Sequence, residues 1–306
     1  FSITESYRDG PKEQVSMTPV TAREELLCTR RSNAIDHSRT RGLQVLGNYT
    51  RKLPVSMVRM MENALDWEHL PYVHASSFSA ISCISQGKWG WRAKASQPAH
   101  GEEDQVLELL LYLDRNYWAT CVVSGPGQGI EIHTQANSLS DSEIEIDVRF
   151  SSTTEIPQEQ VGIYVDVLTQ QYALLYDEDV ALMSGRQSAL DDREQWAREK
   201  SDKSEILVGD TRKLANDERT IVETPTGRFC VRKLNGTWIA HSATCSHLLG
   251  PLDDTTVNAD GSISCPWHGY RFNIETGENL DGKCRALDTP PRVREAQGKL
   301  YLSFEA

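Results

Sequence analysis

No stretch of this 306-residue chain approaches the roughly 20 consecutive apolar residues that a membrane-spanning helix needs. The longest apolar run, near Leu107–Leu113, is interrupted and reads as a buried strand. Positive charge is also scarce: 32 Lys and Arg against 44 Asp and Glu leave a net charge of −12. That balance argues against nonspecific binding to nucleic acid or to an anionic membrane. Internal repeats and low-complexity tracts are absent, and so are glycine-rich fingerprints for flavin or nicotinamide. No signal-peptide pattern is visible, so the expected location is the cytoplasm. The seven cysteines, at 28, 83, 121, 230, 245, 265 and 284, form no regular disulfide framework. Five of them read as free thiols in a reducing compartment, and Cys245 and Cys265 are set aside below.

What the chain does have is the length and composition of a soluble two-domain protein. Residues 1–41 are polar and weakly patterned, an arm or a cap. Gly42–Leu53 alternates like a strand, and Pro54 opens a helical stretch through about Glu68. Three β-like passages follow: Ile84–Ala95, Val106–Val123 and Ile130–Phe150, punctuated by turns such as Gly125-Pro126-Gly127. Helical spacing takes over from Glu155 to Lys200, with Thr154 and Pro157 marking the start. This order predicts an α+β domain over 42–200, a curved antiparallel sheet gripping a long helix. Such a domain leaves a ligand cavity between sheet and helix. Residues 201–216 read as a polar linker. The remainder, 217–306, reads as a small all-β domain. Its strands are expected at Thr220–Glu223, Phe229–Arg232, Trp238–Ala240, Ser262–Cys265, Tyr270–Asn273 and Leu300–Phe304.

The all-β part contains Cys245-Ser246-His247 and, after seventeen intervening residues, Cys265-Pro266-Trp267-His268. Two thiolates on one iron and two imidazoles on the other make a Rieske [2Fe–2S] centre. Ligand count alone leaves a tetrahedral structural zinc open. The flanks favour the cluster. Gly250-Pro251-Leu252 and Gly269-Tyr270-Arg271-Phe272 suit tight loops that turn backbone N–H groups toward sulfide.

A second set of donors lies upstream, in Glu62-Asn63-Ala64-Leu65-Asp66-Trp67-Glu68-His69-Leu70-Pro71-Tyr72-Val73-His74. Residues five apart are separated by about 140° on a regular helix, so His69 and His74 would not share a face. Pro71 is expected to break the helix after His69 and let His74 swing back. Two histidines and one carboxylate on one face of a metal suit a mononuclear iron oxygenase, because positions stay open for O₂. Asp179, in Tyr176-Asp177-Glu178-Asp179-Val180, is the carboxylate candidate, with Asp177 behind it. On spacing alone, two partly exposed histidines and a solvated acidic stretch account for the same residues.

Residues 217–306 resemble the Rieske ferredoxin domain of bacterial oxygenase systems. Respiratory Rieske proteins carry two further cysteines in these loops. The matching places here hold Leu249 or Gly250, and Trp267, while Phe272 stands where they use Tyr. The resemblance therefore implies a potential toward the low end of the Rieske range.

Upstream, the pattern Glu-Asn-x-x-Asp-x-x-His-x-x-x-x-His resembles the iron motif of Rieske non-heme iron oxygenases. Glu-Asp-x-x-x-Met at 178–183 is similar to the place where that family supplies its carboxylate. His-Ala-Ser-Ser at 74–77 is similar to the vanillate O-demethylase branch. By this resemblance His69, His74 and Asp179 hold mononuclear Fe(II). Cys245, His247, Cys265 and His268 hold the [2Fe–2S] cluster. Asp66 bridges the two centres by accepting a hydrogen bond from His69 or His74 and from a Rieske histidine.

The implied activity is that of a terminal oxygenase component. It takes O₂ and electrons from NAD(P)H through a separate reductase, with or without a ferredoxin. It hydroxylates or O-/N-demethylates a small, cyclic or aromatic substrate, with monooxygenation or demethylation favoured over dihydroxylation. The family's assembly is a homotrimer, and its usual domain order is reversed here. The other class of reading is a non-catalytic Rieske electron carrier or redox-linked ligand-binding protein.

Overall fold

The computed structural model describes residues 42–101, 103–198, 205–214 and 219–304. The expected arm or cap over 1–41, and Cys28 within it, lie outside the described residues. The chain divides into two compact units at Ser184/Gly185, inside the long helix.

The first unit is built on a seven-stranded antiparallel sheet. Its strands are β1 (Gln44–Leu53), β2 (Ala80–Gly87), β3 (Gly90–Ser96), β4 (Asp104–Tyr112), β5 (Tyr117–Ser124), β6 (Ile130–Ser138) and β7 (Ile144–Ser152). Their order across the sheet is β1-β7-β6-β5-β4-β3-β2. Each β-like passage read from the sequence turns back on itself as a hairpin. The turn from β2 to β3 ends at Gly90, whose φ is +126°. A Cβ there would stand 1.9 Å from the Leu109 carbonyl oxygen, so glycine is required for strand β4 to approach. The turn from β4 to β5 closes on Asn116, at φ 51°, a residue that tolerates the left-handed region.

Alternation puts Leu53, Ile144, Ile146, Val148, Phe150, Ile130, Ile132 and Ala136 in the core. The long helix α3 (Gln158–Arg198) packs on this face. Tyr172 meets Phe150 edge-on at 5.7 Å, and Tyr176, one turn along, meets Tyr172 at 6.0 Å. Arg51 of β1 fixes the helix lengthwise: its guanidinium donates to the Ala173 carbonyl at 3.1 Å and pairs with Asp177.

Helix α1 (Met57–Leu65) begins later than expected. Ser56 caps it, its hydroxyl accepting from the Arg59 N–H at 3.3 Å. Pro54 lies outside the helix, and the helix stops before Glu68. Trp91 ties α1 to the sheet by donating from Nε1 to the Ala64 carbonyl at 3.0 Å.

The second unit contains the last turns of α3 and eight short strands. These are β8 (Glu205–Asp210), β9 (Thr220–Thr224), β10 (Gly227–Leu234), β11 (Thr237–Ser242), β12 (Ser262–Ser264), β13 (Arg271–Asn273), β14 (Arg292–Ala296) and β15 (Lys299–Ser303). They form three small sheets, β11-β10-β9, β12-β13 and β14-β15-β8. The linker expected over 201–216 is corrected here, because Glu205–Asp210 is a strand paired antiparallel to β15. Strand β14 was also not anticipated. The core joins Val222, Val231, Ala240, Leu300 and Leu302, with Ile206 and Val208 of β8 packed against it.

Fold and expectation agree on the class: a helix-grip α+β domain with a curved antiparallel sheet and a long helix, followed by small β-sheets. Leu302 is fully buried in the second core. Replacing it with Ala should cost about 2–5 kcal/mol through lost burial and a residual cavity. Guanidinium unfolding of the second unit reads this directly, and a shift under 1 kcal/mol would contradict the assigned packing.

Candidate metal centres

The first cluster of donors forms where α1 stops. Asp66 is the C-cap of that helix, with extended backbone, its N–H donating to the Asn63 carbonyl at 3.1 Å. A single helical turn, α2 (Leu70–Val73), follows, with His69 as its N-cap and His74 as its C-cap. Pro71 sits in the first turn of α2, where a missing N–H costs nothing. The expectation that Pro71 breaks a helix after His69 is therefore corrected: the break falls at Asp66, and Pro71 opens the next turn. The His69 carbonyl accepts from the Tyr72 and Val73 N–H groups at 2.9 and 2.8 Å. This one-turn loop brings the two rings together, with Nε2 to Nε2 at 3.3 Å.

Asp179 reaches the pair from α3. Its Oδ1 lies 3.0 Å from His74 Nε2 and 3.4 Å from His69 Nε2. All three side chains are buried, and their donor atoms lie within 4.8 Å of one another. Asp177, the other carboxylate considered, points away, is mostly exposed and pairs with Arg51. Asp66 is buried with Oδ2 3.7 Å from His69 Nδ1, nearer than a chance neighbour but beyond hydrogen-bond length. Glu178 was not singled out from the sequence. Its Oε2 is 2.7 Å from His74 Nδ1.

The electrostatics of the cluster follow from burial and pairing. Burial alone would depress the His69 pKa, but Asp179 and Asp66 together raise it to about 10. Burial would likewise raise the Asp179 pKa, yet His69 and His74 hold that carboxyl well below the usual carboxylate range. Two imidazole nitrogens and a carboxylate, buried and convergent, are a donor set that a divalent first-row metal can occupy.

The second cluster sits on two hairpin tips of the second unit. One tip is closed by the Thr244↔Pro251 bridge and carries Cys245 and His247. The other is closed by Ser264↔Arg271 and carries Cys265 and His268. Each cysteine N–H donates five residues ahead, Cys245 to the Gly250 carbonyl at 2.8 Å and Cys265 to the Tyr270 carbonyl at 2.9 Å. The His247 and His268 rings meet edge-on at 4.6 Å, and Tyr270 stacks on His247 at 4.8 Å. Cys245, Cys265 and His268 are buried and His247 is partly so.

A hydrogen bond from Cys245, opposed by burial and aided by His268, lowers the Cys265 pKa to about 5, which favours its thiolate form. Thiolate is the form that binds metal. The donor chemistry therefore fits a [2Fe–2S] cluster. Among the described residues no cysteine is in a disulfide.

Two features keep the tips close. Leu249, buried in the first tip, has a left-handed φ of 64°, strain of about 1–3 kcal/mol. A Cβ on Gly250 would stand 2.7 Å from Cys265 Sγ and 3.1 Å from the Trp267 ring. Of Leu249 and Gly250, then, Gly250 is the residue that faces Trp267.

A cavity of about 440 Å³ is lined by Asn48, Thr50, Tyr117, His133, Gln135, Asp147, Val148 and Arg149. None of the donors above borders it. Strand register places Tyr117, His133 and Arg149 on the sheet face opposite Trp118, Thr134 and Phe150. Trp91, Tyr117 and Trp118 are buried.

Comparison with known proteins bears on the second unit first. The Rieske [2Fe-2S] domain profile matches residues 204–295. Apoptosis-inducing factor 3 of Homo sapiens and Mus musculus is 35% identical over 77 residues, 25% of this chain but 13% of that protein. The chain thus spans about an eighth of those relatives. Ferredoxin CarAc of Metapseudomonas resinovorans is 29% identical over 77 residues, covering 71% of its length. Among solved structures, the Zhui aromatase/cyclase of Streptomyces sp. R1128 superposes with a TM-score of 0.40 and 11% identity, over 47% of this chain and 95% of that one. Residues 204–295 thus match a Rieske domain, which implies a [2Fe–2S] cluster. No helix among the described residues is long and apolar enough to cross a membrane.

The Gly250 contact is testable. In Gly250→Ala the added methyl must displace Cys265 Sγ or the Trp267 indole. We expect the purified variant to lose most of its acid-labile sulfide and visible absorption. Wild-type sulfide content would show that the two tips have slack at this point.

Proposed function

We propose that the protein is the oxygenase component of a Rieske system, in which His69, His74 and Asp179 hold a mononuclear ferrous ion. The observation that carries the reading is the convergence of both Nε2 atoms on Asp179 Oδ1 in a chain that also has a Rieske domain. Two histidines and one carboxylate leave coordination positions open, as an O₂-using iron requires. When bound, the cluster supplies single electrons and the ferrous ion supplies the place where O₂ and substrate meet.

The remaining chemistry belongs to the chain. Asp66 lies against the Nδ1 edge of His69 and orients that ring, and it is the residue we assign to the electron path between centres. Burial keeps the Tyr172 and Tyr176 phenols protonated. They offer polar positions in an otherwise apolar helix–sheet interior, which suits a small cyclic or aromatic substrate with a few oxygen or nitrogen atoms. The reading brings with it an NAD(P)H-dependent reductase, with or without a ferredoxin, a cytoplasmic location and an assembly of three copies. Hydroxylation or O-/N-demethylation is favoured over dihydroxylation.

Iron analysis separates this reading from a non-catalytic carrier. The oxygenase requires about three irons per chain, two in the cluster and one at the histidines. A value of two points to an electron-transfer or ligand-binding protein instead. In His69→Ala we expect one iron to be lost while the visible spectrum of the cluster persists. Loss of that spectrum as well would sink the ligand assignment.

A second prediction concerns Asp66→Asn. Both centres should be retained and substrate turnover should fall by at least tenfold. Turnover at the wild-type rate, measured with substrate and a supplied reductase, would remove Asp66 from the electron path.

A further inference from the structure

Three consecutive acids on α3 serve three different partners. Residues on a helix are about 100° apart, so neighbours point in different directions. Asp177 turns outward to Arg51, and Asp179 turns inward to both Nε2 atoms. Glu178 lies between them and has one more methylene. It reaches the far edge of the His74 ring, with Oε2 2.7 Å from Nδ1. Both ring nitrogens of His74 therefore face a carboxylate, and the ring is 1% exposed.

The geometry points to Glu178 as a positioning residue that holds the orientation of the His74 ring; this rests on reading His69, His74 and Asp179 as a metal site. With Nε2 given to a metal, the hydrogen of the ring would be on Nδ1, where the Glu178 carboxylate accepts it. A carboxylate behind a ligating imidazole fixes the ring and raises its basicity.

His69 is held differently. Its corresponding carboxylate, Asp66, is at 3.7 Å, too long for a hydrogen bond, and its backbone is pinned by the carbonyl bonds to Tyr72 and Val73. The two histidines are thus held unequally: His74 by a short contact to Glu178, and His69 by Asp66 at longer range.

The test uses the full chain with its cluster intact, and Zn(II) as the probe for the histidine site. Glu178→Leu removes the acceptor at similar volume, Glu178→Gln keeps an acceptor without the charge, and Glu159→Gln removes an exposed charge from the first turn of the same helix. We expect Glu178→Leu to weaken Zn(II) binding by about 10–100-fold. Glu178→Gln should recover most of that loss, and Glu159→Gln should bind as wild type.

In protein labelled with ¹⁵N-histidine, the His74 Nδ1–H should be detected as hydrogen-bonded in wild type and in Glu178→Gln, and should lose that bond in Glu178→Leu. If Glu178→Gln falls as far as Glu178→Leu, the effect is one of charge and the positioning assignment is wrong. An unchanged hydrogen bond and affinity in Glu178→Leu overturn it outright. Failure of the wild type to bind Zn(II) at the histidines would instead sink the proposed function, and the Nδ1–H measurement would still decide whether Glu178 holds His74.

Discussion

A carboxylate buried between two imidazoles is the interaction on which the first unit turns. Asp179 is 8% exposed, and an ionised side chain at that depth costs several kcal/mol to desolvate unless it is paired. The pairing comes from two residues more than a hundred positions earlier in the chain. Meeting it constrains three elements together. Helix α1 must stop at Asp66, the turn over His69–His74 must close, and α3 must hold its lengthwise register. A slip of one turn along α3 would move Asp179 by about 5.4 Å and leave three buried polar groups facing nothing. The Arg51 contacts to Asp177 and the Ala173 carbonyl oppose that slip.

The second unit solves a similar problem by local means. Its four donors come in two short runs, each on the tip of a hairpin whose base is pinned by backbone pairing. The positions follow from turn geometry rather than from long-range packing. What remains non-local is the approach of one tip to the other. That approach depends on the absence of a side chain at Gly250 and on the strained backbone of Leu249. A left-handed leucine persists only where its surroundings overdetermine it, and here those surroundings are the ligand loop itself.

This difference explains what could be read from the residues alone. Cys-x-His and Cys-x-x-His are local signals, so the four candidate positions were visible and their placement on loops followed. The strand passages were visible through alternation, but each conceals a hairpin, because the turns use Asn116 and short polar stretches rather than a Pro-Gly pair. Strand β8 escaped notice because its partner among the described residues, β15, is nearly ninety positions away and its flanks are charged. The His69–His74 pair was legible as a pair, although the reason offered for its convergence was wrong. Pro71 starts a turn there, and the chain breaks at Asp66, which no proline marks. Glu178 was beyond reach: adjacent acids look alike in sequence, and only the helix's orientation against β1 decides which of them meets His74.

The same contacts that hold the first unit together also preform the donor cluster. In the metal-free form His69, with its pKa raised from 6.5 to about 10, carries the charge that balances Asp179. Because the folded pKa is the higher one, this contribution to stability is complete below about pH 6.5 and fades as pH rises through about 10. The proton occupies the place a cation would take, so binding a divalent ion there exchanges one positive charge for two in a pocket lined by Asp66, Asp179 and Glu178. The donor cluster is held by a short contact at His74, to Glu178, and by a longer one at His69, to Asp66.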